Sequence, residues 1–219
     1  MGFTIPEVDK LLAPYAKKSY DFYASEYLSI DDNVDKAKQY ALKKVRRDFE
    51  QGFQSWEYRF NTVGSSRGDY PFIAVSFGIG KDVFSRMATE VILETRAGGQ
   101  GKKNHKKPVL FPKLTFLYDE ELHGEGKPLE YLFDKAVYCS SKSMYPDFLS
   151  LSGEGYIPSI YKKYGKVISL MGKLCCPSIK NLVNLYLQGV SRAFSSCGKW
   201  QSICLLTGET LHGLSCAKF

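Results

Sequence analysis

The chain has 219 residues, 44% of them apolar, and a formal net charge of +7. That length and apolar content suit a buried core in one domain, or at most two, and exclude a disordered composition. No run approaches the roughly 20 apolar residues of a membrane span, MGFTIPEVDK lacks the basic-then-apolar pattern of a leader, and Pro6 stands where myristoylation wants Ser or Thr, so a cytoplasmic protein is expected.

Residues 6–27 predict a helix interrupted at Pro14, which removes a backbone donor. Asp31 and Asp32 offer an N-cap for a much longer helix, whose residues Val34, Ala37, Ala41, Val45, Phe49, Phe53, Trp56 and Phe60 recur at steps of three and four as one core-facing stripe. The opposite face carries Lys36, Lys38, Lys43, Lys44, Arg46 and Arg47, ordinarily a solvated basic face. The helix stops at Asn61-Thr62, residues 64–69 form a polar turn, and 72–77 read as a strand covered on both faces. Gly78 and Gly80 supply two of the three glycines of a dinucleotide fingerprint; the third is missing, which argues against such a cofactor. A helix over 82–96 follows, with Val83, Met87, Val91 and Leu93 as buried candidates.

Residues 97–107, AGGQGKKNHKK, read as a flexible basic loop without Walker A spacing, and His105 stands there as a solvated histidine rather than a ligand. A strand over 109–117 has Pro112 and Lys113 interrupting its apolar run, and a lysine there needs an anionic partner or a route to solvent. The next helix, 129–144, turns Leu132, Phe133, Ala136 and Cys139 inward and ends at Tyr145-Pro146-Asp147. Cys139 reads as a small core residue rather than a nucleophile. Strands alternating with helices imply parallel crossovers and an α/β sheet or barrel.

Five of the six cysteines, Cys175, Cys176, Cys197, Cys204 and Cys216, crowd the tail, a distribution unlike a secreted disulfide framework. Cys197, Cys204, His212 and Cys216 include the residue types of a zinc set, but their spacing matches no familiar zinc pattern, so no metal site is assigned.

In order and spacing, LLAPY (11–15), FQSWEYRFNTV (53–63), Gly68 with Pro71-Phe72, FGIG (77–80), LFPKLTF (110–116), SKSMYPD (141–147) and Met171-Gly172 resemble the central part of the anaerobic, class III, ribonucleoside-triphosphate reductases. The resemblance covers about residues 5–172 and implies about one half of a ten-stranded α/β barrel of glycyl radical enzyme type. It also implies thiyl radical chemistry that reduces ribonucleotides to deoxyribonucleotides for DNA replication. The substrate is then a ribonucleoside triphosphate, the partner a radical-generating activase, and the full-length protein a homodimer without membrane contact. A glycyl radical, formate and a structural zinc are the family's cofactors, all outside the matching region.

Where the family reads Met-Gly-Cys, with the cysteine as radical carrier, this chain has Lys173, so no catalytic residue is assigned and the chain alone is expected to be inactive. Gly64 replaces the family's usual histidine in the turn. Residues 1–172 are read as the barrel fragment and 173–219 as an unrelated tail from a frameshift or an intervening sequence; Cys175 or Cys176 sliding into the radical position is the alternative. Substrate binding is assigned to Asn61, Ser65, Ser66, Arg67 and Lys113, polar groups able to face substrate or its phosphates, against turn capping and a solvated strand end. A non-enzymatic basic nucleotide- or nucleic-acid-binding domain, or an inert remnant with open sheet edges, are the alternatives.

Overall fold

The computed structural model describes residues 2–62, 72–102, 104–165 and 167, excluding the side chains of Gly2 and Phe3. The elements run β1 (Gly2–Ile5), α1 (Val8–Leu28), α2 (Val34–Thr62), β2 (Phe72–Phe77), α3 (Val83–Gly98), β3 (Lys113–Tyr118), α4 (Glu120–His123), α5 (Glu130–Ser143), β4 (Asp147–Ser150) and α6 (Tyr156–Tyr164). The four strands form one sheet in the order β1-β2-β3-β4, every pair parallel, with Val75 opposite Leu114 and Phe116 opposite Phe148. This is the mixed α/β class that the alternation of strands and helices implies.

Alternation along each strand sorts the sheet into two unlike faces. Ile73, Val75, Phe77, Leu114, Phe116, Tyr118 and Phe148 share one cluster with Val8 of α1, Phe53 of α2 and the buried stripes of α3 and α5. The ring of Phe116 sits 6.0 Å from Phe77, 6.3 Å from Phe133 and 5.9 Å from Phe148, and each such buried aromatic contributes roughly 1.5–3 kcal/mol. On the other face Leu117 and Leu149 pack with Ile79, Leu151 and Ile157 of α6. All four long helices thus pack against a single face.

Several local expectations change once the chain is folded. Helix α1 runs through Pro14 without a break, because the proline forfeits one hydrogen bond while packing of Val8, Leu12 and Ala16 holds the turns on either side. The cap of α2 is Asn33, whose Oδ1 accepts from the Lys36 N–H at 3.1 Å; Asp31 and Asp32 precede it. Val34 and Val83, placed inward by periodicity, are 53% and 52% exposed, each being the first residue of its helix. The remaining stripe of α2 is buried or half-buried as its spacing implies. Strand β3 begins at Lys113, so Pro112 precedes the strand and removes no bond from the ladder. Residues 100–107 close into a hairpin, Gln100 and Lys107 exchanging backbone hydrogen bonds of 2.9 and 2.8 Å.

Arg46, counted with the wet basic face, instead bridges to α3, its guanidinium lying 3.2 Å from Glu90 and 2.6 Å from Glu94. Lys135 of α5 reaches the same two carboxylates at 3.5 and 3.0 Å. The network ties three helices together along their outer edge.

Candidate functional site

At the amino ends of the strands, the sequence singles out Asn61 and Lys113, and the structure gives both a partner. Asn61 is the penultimate residue of α2 and uses both ends of its amide. Its Nδ2 donates to the carbonyls of Glu57 at 2.7 Å and Phe111 at 2.6 Å, while its Oδ1 accepts from the N–H groups of Leu110 and Phe111 at 3.2 and 3.1 Å. The side chain clamps the segment that leads into β3. Lys113 lies 3.4 Å from Asp147 on the neighbouring strand, and 27% of its side chain remains exposed. Burial pushes the Asp147 carboxyl up from its usual range and the Lys113 ammonium pulls it back only in part. Ser65, Ser66 and Arg67 lie outside the described residues.

Beneath this edge is a buried ion pair that periodicity did not reveal. Arg96, fully buried, donates from Nε to Glu57 at 2.6 Å and from Nη2 to the Pro112 carbonyl at 2.8 Å, and the second Glu57 oxygen accepts from Gln100 at 3.2 Å. The pair joins α2, α3 and the entry to β3. A polar residue on the inner stripe, Glu57 one place after Trp56, was the available signal.

The carboxyl ends of parallel strands are where α/β sheets usually place ligands, and here they gather Asp9, Gly78, Gly80, Ser85, Asp119 and His123. Asp9, fully buried at the start of α1, accepts from the N–H of Gly78 at 3.1 Å and of Gly80 at 2.8 Å through one oxygen, Oδ2. A side chain on Gly80 would begin 2.3 Å from the Ser85 Cβ and 2.8 Å from that oxygen. An internal carboxylate therefore occupies the amides that a phosphate takes in a dinucleotide fold, which is the physical reason the two glycines form no such site. Burial raises the Asp9 pKa, with the two glycine N–H groups opposing the rise.

His123 fixes the same loop from the other side. The Asp119 N–H donates to Nδ1 at 3.1 Å, so the ring proton sits on Nε2 and is donated to the Gly78 carbonyl at 3.0 Å. Burial lowers the His123 pKa, so the neutral ring is the favoured form. Asp119 also caps α4 by accepting from the Glu121 N–H, and its carboxylate accepts from the Ser152 hydroxyl at 2.8 Å. His123, Asp119 and Ser152 satisfy one another and hold the loops after β2, β3 and β4 in place.

Cys139 is fully buried, and desolvation raises its thiol to about 11, as suits the core role its spacing implies. Among the described residues no group of three His, Cys, Asp or Glu is placed to hold a metal ion. No helix among them is long and apolar enough to cross a membrane. A groove of about 570 Å³ between α1 and α2 is lined mainly by apolar side chains such as Val8, Leu12, Phe49 and Trp56.

A family model described as anaerobic ribonucleoside-triphosphate reductase matches residues 2–196. The chain belongs to that family. It is 38% identical over 150 residues to the anaerobic ribonucleoside-triphosphate reductase of Haemophilus influenzae, 37% over 153 residues to that of Escherichia coli, and 36% over 152 residues to that of Enterobacteria phage T4. Each match covers 68% of this chain but only 21%, 20% and 24% of the respective relative. The chain therefore spans about a fifth to a quarter of the length of these reductases.

Proposed function

We propose that this chain is a piece of the catalytic barrel of an anaerobic, cytoplasmic ribonucleoside-triphosphate reductase and that by itself it reduces nothing. The observation that carries the reading is the family match over residues 2–196. A parallel sheet with its long helices on one face supports the barrel, because a barrel strand presents one side to an outer helical layer and the other to the interior. In this reading the sheet is part of the ten-stranded glycyl radical enzyme barrel, and a ribonucleoside triphosphate, a radical-generating activase and a homodimeric full-length assembly belong to the complete protein.

Thiyl chemistry on a ribose requires an S–H bond that forms and breaks readily, and Lys173, after Met171-Gly172, offers an ammonium in its place. Formate and the glycyl radical then have no cysteine to serve at that position, and residues 173–219 are read as a tail unrelated to the barrel, although the family match runs on to residue 196. Among the residues assigned to substrate, Lys113 is partly exposed but already faces the Asp147 carboxylate at 3.4 Å, and Asn61 spends its amide on the chain. Ser65, Ser66 and Arg67 complete the proposed substrate set.

The test is a reductase assay on the purified chain under anoxic conditions, with the activase, formate and a ribonucleoside triphosphate. No deoxynucleotide is the expected result. Product formed without an intact reductase present would overturn the reading of an inactive piece, and failure to bind any ribonucleoside triphosphate would remove its substrate assignment.

A further inference from the structure

We propose that the hairpin over residues 99–107 is a polyphosphate-binding loop. Residues 95–118 contain no aspartate or glutamate but carry Arg96, Lys102, Lys103, Lys106, Lys107 and Lys113. The fold itself uses two of these: Arg96 is paired with Glu57 and Lys113 with Asp147. Lys102, Lys106 and Lys107 are exposed and have no ion-pair partner among the described residues. They stand on one short, hydrogen-bonded turn.

That turn is built rather than merely charged. Gly99 has φ +67 and a Cβ there would fall 2.8 Å from the Lys107 carbonyl oxygen; Gly101 has φ +130 and a Cβ would fall 2.6 Å from that of His105. Only glycine fits either place. The His105 N–H donates to the Lys102 carbonyl at 2.8 Å, and Gln100 ties the hairpin to α2 through Glu57 and the Gln54 carbonyl. Holding three like charges on so tight a turn costs energy through mutual repulsion, and a bound polyanion relieves it. Three exposed lysines on one short turn, without an interleaved aromatic platform, suit a short phosphate chain better than a single-stranded nucleic acid.

The shared chemistry is a chain of phosphates, free or carried by a nucleoside triphosphate; only the choice of carrier rests on the function proposed above. The test is calorimetry on the full chain with inorganic tripolyphosphate, a ribonucleoside triphosphate, its unphosphorylated nucleoside and a single-stranded RNA oligonucleotide. Expected is binding of tripolyphosphate that weakens with salt, falls at least tenfold in the triple variant Lys102→Gln, Lys106→Gln, Lys107→Gln, and survives in the corresponding arginine triple. Circular dichroism of both variants checks that the fold is intact.

Absent tripolyphosphate binding, or binding unchanged in the glutamine triple, overturns the proposal, as does RNA binding tighter than tripolyphosphate through the same lysines. Tripolyphosphate bound through the three lysines with no gain from a nucleoside would leave the loop standing and count against the reductase substrate. Ribonucleoside triphosphate bound without competition from tripolyphosphate would do the reverse.

Discussion

Asp9 and His123 hold the two ends of a single residue, Gly78: its N–H donates to the Asp9 carboxyl at 3.1 Å and its carbonyl accepts from His123 Nε2 at 3.0 Å. The loop after β2 is thereby pinned from α1 on one side and from α4 on the other. Two titratable groups with opposite responses to acid share it. Burial depresses the His123 pKa in the folded chain, so its stabilisation is present above the unfolded value of about 6.5 and is lost as pH falls through the lower, folded one. Asp9, raised by burial, contributes stability that is full below the unfolded value of about 3.9 and is lost as pH rises through the folded one.

The histidine term is directly measurable. Urea unfolding of the natural chain and of His123→Gln between pH 7.5 and pH 5 should show the advantage of the natural chain shrinking with acid. A constant difference across that range would mean that burial does not lower the His123 pKa in the folded chain.

Gly80 should tolerate no side chain. The Cβ of Gly80→Ala meets the Ser85 Cβ and Asp9 Oδ2 well inside contact distance, an overpacking cost of about 1–3 kcal/mol. Removing the opposing Cβ with Ser85→Gly in the same chain should recover part of that loss, which thermal melting of the single and double variants would reveal.

The Arg96–Glu57 pair is fully desolvated on the arginine side, so Arg96→Met leaves a buried carboxylate unpaired at a cost of about 3–5 kcal/mol. Replacing both, with Glu57→Leu added, should restore much of the stability, because the desolvation penalty disappears with the charges. The double-mutant cycle by denaturant unfolding gives the coupling directly.

Asn61→Ala removes the clamp on Leu110 and Phe111 and should cost about 1–3 kcal/mol, set by the backbone groups left without partners. Asn61→Asp keeps the acceptor but turns a carboxylate oxygen toward the Glu57 and Phe111 carbonyls, which can only accept, and should cost at least as much as the alanine. Denaturant midpoints order the three chains.

With its thiol near 11, Cys139 has on the order of a thousandth of its population as thiolate at pH 8 and no exposed surface. Iodoacetamide applied to the native chain should leave the Cys139 peptide unmodified, as read by mass spectrometry. Labelling before unfolding would show that the face of α5 is open.

The elements and their inward faces were legible because periodicity reports which side of a local segment is apolar. The α2 stripe, the strand over 72–77 and the set Leu132, Phe133, Ala136 and Cys139 all follow from spacing alone. The elements β1, α4, β4 and α6 escaped notice, each being nine residues or fewer with too little repeat to register. At the site, the demand of Lys113 for an anion was visible in its apolar surroundings, but its satisfaction by Asp147 depends on β3 and β4 lying side by side.

By itself the sequence determined the α/β class and the family, the latter through several motifs in one order, since each is a property of residue identity and local spacing. Only the tertiary structure decided that Asp9 fills the Gly78 and Gly80 amides from 69 and 71 residues away, that Arg46 bridges to α3 and that Pro14 lies within an unbroken helix. The reason is physical: a charge or an amide finds its partner through strand register and helix packing, and those bring together groups whose separation along the chain carries no trace of their contact.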